Sequence, residues 1–255
     1  MTAELLESAR VALACLDLTS LNDADDERAI DALCERAVGP YGSVAAVCVW
    51  PRFVARARSA LPLAVRVAAV ANFPHGALER EPALADSAAI AAAGGNEIDL
   101  VLPWRAWTAG QHAACSALVA AVRRAHPALT LKLILETGEL RDAALISSAS
   151  VMALDEGVDF IKTSTGKTPV SATPAAAKAM LAAIAAHSRR ASVGFKASGG
   201  IRTVADARLY IELTRAALGP VTPRNFRLGA SALLADILSL LSGAASSGTP
   251  PRNVY

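Results

Sequence analysis

The chain has 255 residues with a net charge of +2; 53% of the residues are hydrophobic and 19% are charged. That balance excludes an intrinsically disordered chain, and it leaves no electrostatic footprint for nucleic acid or an anionic membrane. The length suits a single α/β barrel better than two small domains.

The four cysteines (Cys15, Cys34, Cys48 and Cys115) form no CxxC pair. Neither a disulfide framework nor a zinc site is expected, and a reducing, cytoplasmic setting fits best. The N-terminus carries Glu4 and Glu7 rather than a basic patch, so it does not read as a signal peptide, and a short helix is expected there. No apolar run approaches the roughly 18–20 residues needed to cross a bilayer.

Two kinds of segment then alternate. The first kind is short, apolar and often β-branched: LACLDL (13–18), VAAVCVW (44–50), VRVAAVANF (65–73) and EIDLVLP (97–103), then LTLKLILET (129–137), DFIKTST (159–165), SVGFKAS (192–198) and FRLGAS (226–231). Such runs suit strands buried on both faces of a parallel sheet. Between them lie helical patterns. Ile30, Leu33, Cys34 and Ala37 recur at helical offsets, as do Ala177, Met180, Leu181 and Ile184, and later Leu233, Leu234, Ile237 and Leu241. Thr173 followed by Pro174 reads as an N-cap and first helical position, and Thr203 as a second N-cap.

Eight strands alternating with helices predict a (β/α)8 barrel occupying residues 1–242 as one domain. The competing architecture, an open doubly wound sheet, lacks a strand followed by GxGxxG. The Ser/Gly/Pro-rich stretch 243–255 is expected to be a flexible tail.

In a barrel of this type chemistry gathers at the C-terminal ends of the strands. Strand one offers Asp17 and Thr19, strand four Asp99, strand five Lys132 and a terminal Glu136, strand six Lys162 and strand seven Lys196. Lysine and aspartate are rarely buried without partners, so these residues predict one polar cluster inside the barrel. Lys162 and Lys196 fall on adjacent strands with apolar neighbours. Desolvation and a nearby cation both lower a lysine pKa, and a neutral amine is what Schiff-base chemistry requires. Asp99 is then the candidate for proton transfer. The residues alone do not decide which lysine attacks, and a structural ion network is the competing reading.

An anion site is expected after strands seven and eight. Gly199-Gly200-Ile201-Arg202 and Gly229-Ala230-Ser231 let backbone N–H groups approach a phosphate, with Lys167 or Arg202 adding charge. The STGK segment at 164–167 is not a P-loop, because Ile161 stands where glycine is needed. No HxH or HExxH spacing occurs, so no metal site is expected. Cys48 is a candidate thiol at the substrate, with a buried core cysteine as the alternative.

These segments carry a family resemblance. LDLTSL (16–21), AAVCVWPRF (45–53), NFPHG (72–76), EIDLVLP (97–103), LILETGEL (133–140), DFIKTSTGK (159–167), VGFKASGGIRT (193–203) and FRLGAS (226–231) stand in order and at suitable spacing. Over nearly its whole length the chain resembles the deoxyribose-phosphate aldolase family. The resemblance implies reversible cleavage of 2-deoxy-D-ribose 5-phosphate to acetaldehyde and D-glyceraldehyde 3-phosphate, with no metal or organic cofactor. It implies Lys162 as the Schiff-base lysine, Lys196 as the second lysine lowering its pKa, and Asp99 as the carboxylate assisting proton transfer, with Asp17 in the same network. Gly166, Lys167, Gly199, Gly200, Arg202, Gly229 and Ser231 match positions at the phosphate and hydroxyl end of the site. Tyr255 matches a tail tyrosine implicated in proton transfer at the acetaldehyde carbon.

Two departures stand out. Ala197-Ser198 replaces the Pro-Ala of many members, and Ala232 replaces a second serine found in some. The partners implied are small molecules, with neither nucleic acid nor membrane, and the apolar helical faces fit a homodimer as well as a monomer. A non-catalytic phosphosugar-binding barrel is the alternative function, and another phosphosugar isomerase or synthase is a third.

Overall fold

Eight parallel strands close on themselves in chain order. They are Leu16–Thr19 (β1), Ala46–Val49 (β2), Arg66–Ala71 (β3), Glu97–Val101 (β4), Thr130–Ile134 (β5), Phe160–Lys162 (β6), Gly194–Ser198 (β7) and Phe226–Ala230 (β8), with β8 pairing back onto β1. The computed structural model describes residues 2–243. The expected tail therefore falls almost wholly outside the described residues, and Tyr255 lies outside them too. The closed sheet is the expected (β/α)8 barrel; β2 to β8 lie within their expected segments, and β1 runs one residue past its own, to Thr19.

Helices fill the crossovers for the local reasons the sequence gives. Thr173 accepts from the Ala176 N–H and Pro174 opens the helix Pro174–Ala186, whose Ala177, Met180, Leu181 and Ile184 are buried. Thr203 forms a full capping box with Asp206 at the start of Val204–Leu218. A helix at Ala3–Ala14 precedes β1, and a small two-stranded hairpin at 38–43 follows the helix Glu27–Arg36. Not every loop is short: residues 163–173, after β6, contain no regular element. Among the described residues no helix is long and apolar enough to cross a membrane.

The apolar runs conceal a strict period of two. Leu16 and Leu18, Val47 and Val49, Ile98 and Leu100, Leu131 and Leu133, Phe195 and Ala197, Phe226 and Leu228 all join the one large cluster packed beneath the helices. The alternate positions face the axis. There Cys48, Ala68 and Val70 form a small apolar patch with Leu21, and Asp17, Glu97, Asp99, Lys132, Lys162, Lys196 and Arg227 make the ionisable part of the interior. The pairing places Lys132 beside Asp99, Lys162 beside Lys196, and Lys196 beside Arg227. One face of the sheet thus makes the core while the other makes the site.

Candidate active site

Seven charged side chains share the barrel interior, each almost or fully buried. Asp99 is the hub. Its Oδ1 accepts from Lys132 at 2.7 Å, and its Oδ2 accepts from Lys162 at 2.9 Å and Lys196 at 2.8 Å. Asp17 accepts from Lys196 at 2.5 Å and from Arg227 at 2.7 Å. Glu97 lies 2.5 Å from Lys132 and 3.0 Å from Arg227. Half-exposed Arg66 reaches Glu97 only at 3.7 Å.

Within contact distance there are four buried cations (Lys132, Lys162, Lys196, Arg227) for three carboxylates (Asp17, Glu97, Asp99). Burying an uncompensated charge is expensive, so one base is driven toward neutrality. Arg227 cannot serve, because guanidinium stays protonated. Of the lysines, Lys132 touches Glu97 and Asp99 and lies 3.6 Å from Asp17, and Lys196 touches Asp17 and Asp99. Lys162 has only Asp99 Oδ2, which it shares with Lys196.

The pKa directions follow from that partition. Burial lowers Lys162, Asp99 opposes this, and Lys196 adds to the lowering, so the amine ends below its ordinary value of 10.5. Burial also acts against Lys196 and Lys132, but Asp17 and Asp99 at the first, and Asp99 and Glu97 at the second, override it and raise both. Burial would raise Asp99, yet Lys132, Lys162 and Lys196 hold it well below the carboxylate range. Of the adjacent pair, one lysine is therefore poised to lose its proton and the other to keep it.

The sequence-nominated residues Asp17, Asp99, Lys162 and Lys196 are thus brought together. Thr19 turns its hydroxyl back to the Asp17 carbonyl, 2.9 Å away. Cys48 lies in the interior patch, and burial, helped by Asp99 against the lysines, pushes its thiol up to about 11, so it is protonated at neutral pH. Gly229 has to be glycine: a Cβ there would stand 2.6 Å from Ser198 Oγ and 3.1 Å from Lys196 Cε.

Beside this cluster opens a cavity of about 230 Å³ lined by Gly166, Thr168, Ser171, Gly199, Gly200, Arg202, Gly229 and Ser231, among others. Apart from Lys167, it gathers every residue the sequence nominated for an anion. The Lys167 ammonium donates to the Leu21 carbonyl at 2.7 Å. Ala232 belongs to the same lining, so that departure from the family pattern falls in the cavity that gathers the residues nominated for an anion.

Sequence reasoning missed Glu97 and Arg227, and it counted Lys132 and Glu136 in the polar cluster without giving either a role. The available signal was a charge inside an otherwise apolar strand, which at a strand's first residues looks like an exposed edge. It also missed the hydroxyls of Ser164 and Ser198, which are buried without a hydrogen-bond partner among the described residues. These serines sit two residues beyond Lys162 and Lys196. Among the described residues no group of three or more His, Cys, Asp or Glu side chains is arranged to hold a metal ion.

Residues 11–237 match the family described as DeoC/LacD family aldolase. A curated deoxyribose-phosphate aldolase from Agrobacterium fabrum is 47% identical over 251 residues, covering 95% of this chain and 96% of that protein. A crystal structure from Coccidioides immitis, carrying a provisional deoxyribose-phosphate aldolase name, superposes with a TM-score of 0.80 at 29% identity, covering 90% of this chain and 86% of that one. A deoxyribose phosphate aldolase from Aeropyrum pernix, described as tetrameric, gives a TM-score of 0.73 at 22% identity over 96% of this chain and all of that one. The last likeness carries the fold alone.

Proposed function

The chain belongs to the DeoC/LacD family of aldolases, and on that premise we propose that it works through a Schiff base on Lys162, with Lys196, Asp99 and Asp17 setting its protonation. The reaction is the reversible cleavage of 2-deoxy-D-ribose 5-phosphate to acetaldehyde and D-glyceraldehyde 3-phosphate. The observation that carries the assignment is the uneven pairing of the two adjacent lysines. Lys162 shares a single carboxylate oxygen and has a lowered pKa, whereas Lys196 holds two carboxylates and has a raised one.

The neutral Lys162 amine attacks C1 of the open-chain sugar. The carbinolamine loses water, with protons passing through Asp99, and leaves a protonated imine. Removal of the C3 hydroxyl proton breaks the C2–C3 bond, and its electron pair flows to the imine nitrogen to give an enamine. C3 departs as the aldehyde carbon of glyceraldehyde 3-phosphate. Protonation of C2 and attack by water then release acetaldehyde and restore Lys162.

The 230 Å³ cavity beside the lysines receives the phosphate, which supports placing C1 and C5 of the sugar at opposite ends of the site. Gly199, Gly200 and Gly229 present backbone there, and Arg202 supplies charge. Residues 1–242 form one catalytic domain in this reading. Four free, buried cysteines support a reducing, cytoplasmic setting. The alternative of a non-catalytic phosphosugar-binding barrel requires neither the lysine pair nor a depressed member in it, and nothing observed favours it.

Borohydride trapping tests the assignment. Incubation with acetaldehyde and borohydride is expected to leave a two-carbon alkyl group on the peptide carrying Lys162, and Lys162→Ala is expected to leave none. An adduct on another lysine, or one that survives in Lys162→Ala, would sink it.

A further inference from the structure

One buried carboxylate takes no part in this chemistry. Glu136 follows β5 and is fully buried, and its backbone is left-handed at φ 55°, ψ 59°. A non-glycine residue held there is strained and persists only where the surroundings demand it. Glu136 makes no ion pair among the described residues. Burial pushes its carboxyl up on balance, and hydrogen bonds from Thr165 and Thr168, then the charge of Lys162, oppose that by favouring the ionised form.

What Glu136 holds is the irregular stretch after β6. The Thr165 N–H lies 3.3 Å from each carboxylate oxygen, and the Thr165 hydroxyl donates to Oε2. The Thr168 hydroxyl lies 3.2 Å from Oε1 and 3.1 Å from the Val170 carbonyl, sharing its one proton between them. Thr165 Oγ1 in turn accepts from the Lys167 N–H at 3.0 Å. Beside this, the Thr137 N–H donates to the Thr163 carbonyl at 2.9 Å. Gly138 packs so tightly that a Cβ would stand 2.0 Å from the Val170 carbonyl oxygen. A stretch that only needed burial would be served by apolar contact. An ionised carboxylate, with no donor of its own, is suited to accepting from all of these groups at once.

We propose that Glu136 is a positioning residue for the substrate's phosphate: it latches residues 163–170 from the end of β5 and so fixes the wall of the anion cavity formed by Gly166 and Thr168. The inference rests on reading that cavity as the phosphate site. Glu136 never touches the sugar in this role. It sets where Gly166 and Thr168 stand, and a substrate-positioning group displaced by about an ångström loses much of its effect.

The test compares kcat/KM for 2-deoxyribose 5-phosphate with that for unphosphorylated 2-deoxyribose in the wild type, Glu136→Gln and Thr168→Val. The wild type is expected to prefer the phosphorylated sugar. Glu136→Gln keeps one acceptor and loses the charge, and should cut that preference about tenfold, mainly through KM for the phosphosugar. Thr168→Val should cut it about threefold, and it decides the matter if Glu136→Gln does not fold. A merely structural role would slow both substrates by one factor; an unchanged preference in the variants overturns the latch. A wild type with no preference removes the phosphate site itself and the latch with it, while leaving the borohydride result untouched.

Discussion

The floor of the barrel interior and its mouth are built from the same materials, lysines and carboxylates on neighbouring strands, yet they hold charge differently. Toward the floor, Lys132 reaches three carboxylates and Arg227 two, and Glu97 contacts both cations. Those groups are saturated, and their pKa directions reinforce the ionised forms: Lys132 and Arg227 are raised, and Glu97 is lowered, against burial, by Lys132 and Arg227. At the mouth the supply of carboxylate oxygens runs short, and Lys162 is the group left with a shared one. The lowered pKa of Lys162 comes from leaving one member of an ion network under-compensated while its neighbours are fixed. Hydrophobic surroundings alone would have neutralised both lysines of the pair.

Three substitutions break or sharpen this contrast. In the proposed mechanism the neutral amine is the reactive form of Lys162, so kcat/KM rises as pH climbs through its lowered pKa, and anything that raises that pKa moves the acid limb to higher pH. Lys196→Leu removes the cation in register beside Lys162 and frees Asp99 Oδ2 for it alone. Turnover is expected to fall by at least about 10²-fold with the acid limb displaced upward. An unshifted pH–rate profile would take Lys196 out of the mechanism.

Lys132→Met is the intermediate case. It strips one partner each from Glu97 and Asp99, and is expected to lower stability by about 3 kcal/mol, a fall in Tm of roughly 6–12 °C. It leaves three cations for three carboxylates, so the acid limb should also move upward, but by less than in Lys196→Leu. An acid limb that moves downward would show that the charge count does not govern Lys162.

Ser198→Ala gives the smallest effect. Its hydroxyl is buried without a partner among the described residues, so removing it should stabilise the fold by about 1 kcal/mol, a rise in Tm of roughly 2–4 °C. A lower Tm, read by calorimetry, would mean that the hydroxyl has a partner after all.

The barrel was legible because its evidence is local. Eight apolar runs, helix caps at Thr173 and Thr203, and apolar residues at helical spacing each report on their own stretch of chain, and all eight strands formed where those signals lay. The nomination of Asp17, Asp99, Lys162 and Lys196 was equally local, since a charge in the middle of an apolar strand announces itself. Glu97 and Arg227 escaped because each stands at or next to the first residue of its strand, where polarity looks like exposure. Glu136 was noticed but had no visible purpose, because the threonines it holds belong to another strand's loop.

By itself, then, the amino-acid sequence determined the strands, the helices and the residue types of the site, because propensity, capping and periodicity act between near neighbours. The opposite pKa directions of Lys162 and Lys196 were decided only in the closed barrel. A lysine's pKa depends on how many carboxylate oxygens it can reach and how many it must share. Those oxygens come from β1 and β4, far away along the chain, and they meet β6 and β7 only when the sheet closes.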